Sequence, residues 1–456
     1  MSNSWDLHVT NFGRIREATI TVSPFMMFVG KNNSGKSYMM QLLWGIINEV
    51  PELMGRTLSK SHQFDDLISY IKPQFMKNGL IEIDHTIQNK LFGILNEFLK
   101  KYKDELVKKI FNFDISIDEL EIQFEKPSSV FLKVEDHEFI KSFKLVHIYY
   151  NNEFKISIPI EEDESLSEEI KYLLYFILSI FLTDNSFDSN SLFVDHDRDP
   201  IYFPASRSGF MQTYRAIVGN VFEDRLTHSF YSNENYSSIS GTQLTLPVTR
   251  FIAQLQKHNF NSKNREKYAE EIAFLNNQLL GGEIEKDESQ QFRFRSTQDQ
   301  QTYPLHVTSS LISELTPISI FLSAQNDPNL WIIEEVESHL HSEMQLRMAR
   351  FLFRMINKGK SVWITTHSDN LAQQINNLLA ISQHPNKQGL LRKLEYEETD
   401  ILADLSTVNA YQFEVEGEHT VVKKLELGRN GFVIDTFNDT LKKLIVETDM
   451  IQNYTE

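Results

Sequence analysis

The spacing of apolar and polar positions predicts strands over the first thirty residues. "WDLHVTNF" reads as a strand, Gly13 marks a turn, "REATITV" reads as a second strand, and the apolar run "FMMFVG" as a third. The period then changes, with Met39, Met40, Leu42, Leu43, Ile46 and Ile47 recurring at helical spacing. Between about 52 and 200, "FDDLISYIKPQF" and "NKLFGILNEFLKKYKDELVKKIFNF" read as helices. In the same region "DELEIQFE", "SVFLKVE" and "KLVHIYYNNEFKISIPI" read as strands. An acidic loop, "EEDESLSEE", leads into the apolar helix "KYLLYFILSIFLT", and "TDNSFDSNS" has the composition of a loop. Then "PIYFPASRSGF" predicts a strand and a turn, "TRFIAQLQ" and "EKYAEEIAFLNNQLLGG" helices, and "FRFRS" a strand. This organisation suggests an ATPase domain split into residues 1–51 and 201–456, with an α/β insertion at 52–200.

The third predicted strand runs into Gly30-Lys31-Asn32-Asn33-Ser34-Gly35-Lys36-Ser37, which fits G-x-x-x-x-G-K-[ST]. A strand before it and a helix after it supply the context a phosphate-binding P-loop requires. Further on, the apolar strand Leu330–Ile333 ends in Glu334 and Glu335. Two adjacent carboxylates on a strand tip suit a Walker B element: Glu334 helps hold Mg²⁺ beside Ser37, and Glu335 polarises the attacking water. A second apolar strand, Val362–Thr365, ends in His367 after a helical stretch, "EMQLRMARFLFRMI". Such a crossover sets two parallel strand ends side by side, where ligands gather. A histidine there reaches the γ-phosphate or the catalytic water. Ser309 and Ser310 precede another helical stretch, and hydroxyls and free amides at a helix start bind phosphate.

Composition narrows the class. Across 456 residues, 41% are hydrophobic and 33 are Phe, enough for a substantial core. The absence of cysteine excludes disulfides and cysteine-ligated zinc. A formal charge of −18 argues against a surface that coats nucleic acid. Lys100, Lys101, Lys103, Lys108 and Lys109 form the notable basic cluster, and its plainest reading is a solvated helix face. The N-terminus lacks the features of a signal peptide, and the apolar run Leu173–Leu182 is short of the ~20 residues that span a bilayer. A cytoplasmic protein with no membrane partner is expected. His339 and His341 lack a ligand set for a metal hydrolase. A GTPase would need Asn-Lys-x-Asp, and Asn386-Lys387-Gln388-Gly389 lacks the Asp.

Taken together, "VTNFGRIREATITVSPFMMFVGKNNSGKS", "YFPASRSGF", "TSSLISEL", "IIEEVESHLH" and "ITTHSDNLAQQINNLL" resemble the ABC-type ATPases related to RecF, SMC heads and OLD-family proteins. Within these, the chain is similar to the compact bacterial AAA-15/AAA-21 family. It departs from the pattern at Leu311, Val336 and Glu334, where Gly, Pro and Asp are common. The resemblance implies an α/β P-loop fold of the ABC-ATPase head type, a mixed sheet flanked by helices. It also implies a head-to-tail dimer in which Ser309 and Ser310 contact ATP bound to the other subunit. Lys36 and the amides of residues 31–37 would cradle the phosphates, Ser37 and Glu334 would hold Mg²⁺, Glu335 would activate water and His367 would sense the γ-phosphate. Arg207 is left open among the site, the dimer interface and a surface turn. The segment after the His367 helix reads as two short strands and a helix, without room for a Toprim nuclease. By size and motif layout the chain resembles ATPase subunits of bacterial anti-phage systems, PARIS-type first and Septu or retron types next. That implies a separate toxin or nuclease effector and a phage-encoded trigger. The alternative is a RecF-like DNA-binding ATPase.

Overall fold

The computed structural model describes residues 5–57, 62–78, 80–124, 130–136, 143–150, 153–161, 200–213, 244–257, 260–289, 291–325, 327–434 and 445–451, together with the helical positions Leu174, Ile177, Leu178, Phe181 and Leu182. The two expected loops at 161–169 and 183–191 lie outside the described residues, apart from Glu161 at the end of a strand.

A nine-stranded sheet organises the chain. Its strands are β1 (Trp5–Phe12), β2 (Ile15–Thr21), β3 (Phe25–Gly30), β4 (Glu119–Phe124), β5 (Ile201–Phe203), β6 (Leu330–Ile333), β7 (Ser361–Thr366), β8 (Val408–Glu416) and β9 (His419–Leu425). The spatial order is β4-β1-β2-β9-β8-β3-β7-β6-β5. Five neighbours, β8, β3, β7, β6 and β5, run parallel. β1 pairs antiparallel with β2 and β4, and β8 with β9. Sequence explains the division. β3, β5 and β6 are apolar runs buried at every position, as strands covered on both faces must be. β4, by contrast, alternates buried and exposed residues along its first five positions, as an edge strand with one wet face does.

Five helices bear on the site: α1 (Lys36–Thr57), α2 (His85–Phe111), α3 (Ser310–Leu322), α4 (Ser342–Asn357) and α5 (Asp369–Gln383). Asp84 caps α2, its carboxylate accepting the Ile87 N–H at 2.9 Å. α2 approaches α1 so closely that a Cβ on Gly45 would stand 2.0 Å from Ile110 Cδ1. Between residues 52 and 200 the chain supplies β4 to the central sheet. It also supplies a separate antiparallel sheet, Leu80–Ile83, Val130–Asp136, Phe143–Tyr150 and Glu153–Glu161. The Trp5 indole donates to Leu182 O at 3.2 Å and fastens the apolar helix of that segment to β1. The lysine cluster of α2 is largely engaged: Lys103 donates to Ile117 O, and Lys108 and Lys109 pair with Asp114 and Glu49.

Candidate ATP site

The carboxyl ends of the parallel strands carry the chemistry. β3 ends at Gly30 and opens into the loop that α1 closes. β7 ends one residue before His367, β6 one residue before Glu334, and β5 four residues before Arg207. A sheet of this kind gathers ligands at that edge, because loops of neighbouring strands converge there.

Backbone geometry accounts for two of the loop's residues. Gly30 has φ +147°, and a Cβ there would lie 2.4 Å from Phe413 O of β8. Gly35 has φ +94°, and its Cβ would press on Ile15 at 3.0 Å. Asn33, at φ +59°, occupies the left-handed region that Asn tolerates better than most side chains. The loop thus turns tightly, and the first-turn amides of α1 have no intrahelical acceptor. Those amides form an anion site.

Lys36 lies buried across this loop, donating to Gly30 O at 3.0 Å, Lys31 O at 2.8 Å and Ser34 Oγ at 3.3 Å. Burial lowers its pKa from 10.5 to about 8, against the opposing pull of Glu335, Glu337 and Glu334. Its ammonium also lies 3.5 Å from His367 Nδ1. The imidazole is pushed below its ordinary value by burial first and by Lys36 second, so it is neutral at pH 7. On its other side, His367 Nε2 is 3.9 Å from Glu335 Oε1.

The two carboxylates after β6 sit differently. Glu334 is buried, with Oε2 accepting the Ala205 N–H at 3.3 Å. Glu335 is partly open to solvent and adopts φ +40°, an uncommon conformation for a side-chain-bearing residue. Four hydrogen bonds hold it there, one of them from the Ser338 N–H to its carbonyl at 2.9 Å. Its N–H donates to Thr365 Oγ1 at 2.9 Å, its carbonyl accepts from Arg207 Nη2 at 3.2 Å, and its Oε2 accepts from Ser338 Oγ at 3.2 Å.

A magnesium ion fits this edge. Such ions take one or two protein oxygens and complete their shell from phosphate and water. Three buried oxygens converge here, Glu334 Oε1, Gln41 Oε1 and the Tyr202 hydroxyl; none has a partner of full hydrogen-bond geometry, and the hydroxyl faces both of the others. Gln41 stands one helical turn beyond the exposed Ser37 on α1. Burial pushes the Tyr202 phenol well up, and the neighbouring Glu334 carboxylate acts the same way. Among the described residues no three His, Asp or Glu side chains cluster as an all-protein cage would require.

The structure therefore brings together the loop 30–37, Glu334, Glu335 and His367. Ser309 and Ser310 are exposed at the start of α3, where Ser309 Oγ caps the helix by accepting the Ile312 N–H at 3.4 Å. Neither hydroxyl hydrogen-bonds to the P-loop. Sequence reasoning missed Glu337, whose Oε1 accepts the His367 N–H at 2.5 Å. Its signal was a third carboxylate two residues beyond Glu335. Arg207 is no surface arginine: it is 1% exposed and ion-paired to buried Glu314 at 2.7 Å.

A buried P-loop lysine, a strand-tip carboxylate pair and a neighbouring imidazole define a nucleotide-binding P-loop protein. The chain matches the AAA ATPase domain family (AAA_15) over residues 6–372, and it belongs to that family of ATP-binding ATPases. The matched region holds every residue of the site. No curated protein matches the chain. Among solved structures it aligns with the SMC head domain from Thermotoga maritima at 11% identity and TM-score 0.34, over 93% of this chain and 100% of that one. An SMC head bound to the C-terminal winged-helix domain of ScpA aligns at 10% identity and TM-score 0.36, over 93% and 98%. An SMC head with an extended coiled coil, bound to a ScpA C-terminal domain derived from Pyrococcus furiosus, aligns at 11% and 0.34, over 97% and 100%. No described helix is long and apolar enough to cross a membrane.

Proposed function

We propose that the protein hydrolyses Mg²⁺-ATP in a head-to-tail dimer of the ABC-ATPase type and uses the nucleotide cycle to control a partner. The observation that carries this reading is the convergence of Lys36, Glu335, His367 and Glu337 at adjacent strand ends. Lys36 leaves its contacts with Gly30 O and Lys31 O to meet the β- and γ-phosphates, joined by the amides of residues 31–37. Ser37 and Glu334 would hold a magnesium ion, which would neutralise charge on the phosphates. Glu335, partly solvated, orients and deprotonates the attacking water. His367 donates a hydrogen bond to the γ-phosphate, with its backbone fixed by Glu337.

Exposure of Ser309 and Ser310 at a helix start, with no hydrogen bond to the P-loop, supports a site completed by a second copy. Likeness in size and motif layout to anti-phage ATPases supports a cytoplasmic switch that restrains or releases a separate toxin or nuclease, answering a phage-encoded trigger. The test is a mass measurement and a pull-down from the native host, with and without ATP, using wild type and Glu335→Gln. An ATP-dependent doubling of mass with a nucleotide-dependent protein partner supports the reading. A monomer under all conditions removes the dimer. Nucleic acid recovered without a protein partner points instead to a RecF-like role.

A further inference from the structure

Arg207 makes more bonds than a turn arginine needs. Nη1 donates to Pro204 O at 3.2 Å and Glu334 O at 2.6 Å, and Nη2 to Glu335 O at 3.2 Å. Nη2 also pairs with Glu314 Oε1 at 2.7 Å, while Glu314 Oε2 accepts the Ser208 N–H at 2.9 Å. Both side chains are buried. One ion pair thus joins the loop after β5, the tip of β6 and the first turns of α3. A buried ion pair adds little net stability over apolar residues of equal volume. Its position is more telling. At one end stands Glu335, held at φ +40°; at the other, α3, which starts at Ser310 four residues before Glu314.

We infer that Arg207 and Glu314 are positioning residues that relay the seating of α3 to the catalytic carboxylate. This rests on the dimer reading above. When the start of α3 meets the partner's nucleotide, a shift of the helix moves Glu314, and Arg207 carries the shift to the carbonyls of Glu334 and Glu335. The Glu335 carboxylate then takes its attacking position. Each subunit would hydrolyse its own ATP only while its α3 is engaged with the other's.

The experiment uses full-length protein with Mg²⁺-ATP: wild type, Glu314→Gln, which keeps an acceptor for Ser208, and Arg207→Lys, which keeps the charge but cannot fork to both carbonyls. Mass with ATP, dissociation constant for a fluorescent ATP analogue, kcat and KM are measured for each. The relay predicts that both variants bind ATP and dimerise within about twofold of wild type, while kcat falls about tenfold or more. Wild-type kcat in dimeric variants overturns the relay and leaves the dimer standing. So does a loss of kcat accompanied by equal loss of binding or dimerisation, which marks a merely structural pair. A wild type that stays monomeric overturns the dimer reading itself. Should both variants fail to fold, hydrogen exchange on Glu335→Gln with ATP decides. Joint slowing at residues 310–316 and 334–337 supports the relay, and slowing at only one segment overturns it.

Discussion

Lys36 Nζ lies 3.5 Å from His367 Nδ1, although 331 residues separate them in the chain. The pairing follows from β3 and β7 being parallel neighbours, so that the residues leaving their carboxyl ends meet. Two basic groups this close, Lys36 buried and His367 half-buried, resist being charged together, and phosphate relieves that.

The lysine's pKa of about 8 gives nucleotide binding a pH dependence. Bound phosphate raises that value, so the complex holds the proton more tightly than the free protein does. Below about pH 7 Lys36 is charged in both states and contributes no slope. Above about pH 8 binding takes up a proton, and affinity falls by up to ~10-fold per pH unit. Titration of a fluorescent ATP analogue from about pH 6.5 to 9.5 reads this. A flat profile contradicts the assignment.

Glu337 fixes His367 through the backbone, its carboxylate accepting the His367 N–H. Glu337→Gln replaces a charge-assisted bond to the His367 N–H with a weaker one, worth about 1–2 kcal/mol. The expected result is kcat reduced about tenfold with KM nearly unchanged, read by steady-state phosphate release. A change confined to KM would place Glu337 in ground-state binding instead.

Removing the proposed metal ligands separates magnesium from nucleotide. Ser37→Ala and Glu334→Gln are expected to raise the Mg²⁺ concentration needed for half-maximal activity by about tenfold, while metal-free ATP binding changes little. A magnesium titration of activity measures this, and an unchanged midpoint in both variants excludes them as ligands.

Gly30 and Gly93 make a matched pair for stability. A Cβ on Gly30 collides with Phe413 O at 2.4 Å and sits at φ +147°, whereas nothing lies within 4 Å of a Cβ on Gly93 in α2. Gly30→Ala is expected to lower the melting temperature, at a cost of about 1–3 kcal/mol, and to abolish ATP binding. Gly93→Ala is expected to raise it, by up to ~1 kcal/mol. Thermal denaturation of both tests the geometry of the loop.

Much of this site was legible in the chain because its parts are local. An apolar run that ends abruptly in charge, as at Ile333–Glu334 or Thr366–His367, marks a strand tip. The glycines of the loop mark a backbone other residues cannot follow. What was hidden is what depends on neighbours in space. Nothing in "VNAYQFEVE" says that β8 lies beside β3, or that Phe413 O leaves Gly30 no room for a side chain. Nothing in "ELEIQF" announces an edge pairing with β1. Arg207 stays open among the site, the dimer interface and a surface turn until Glu314, 107 residues later, closes on it; Glu337 carries no signal of its own beyond being a third carboxylate until the His367 N–H meets it.

The most direct test is phosphate release at saturating Mg²⁺-ATP, wild type against Glu335→Gln, with ATP binding measured on the same samples. A general base contributes about 10²–10⁴-fold, so turnover should fall by that factor while binding persists. Equal turnover in the two proteins would contradict the account, since the carboxylate held at φ +40° beside His367 would then have no part in the reaction.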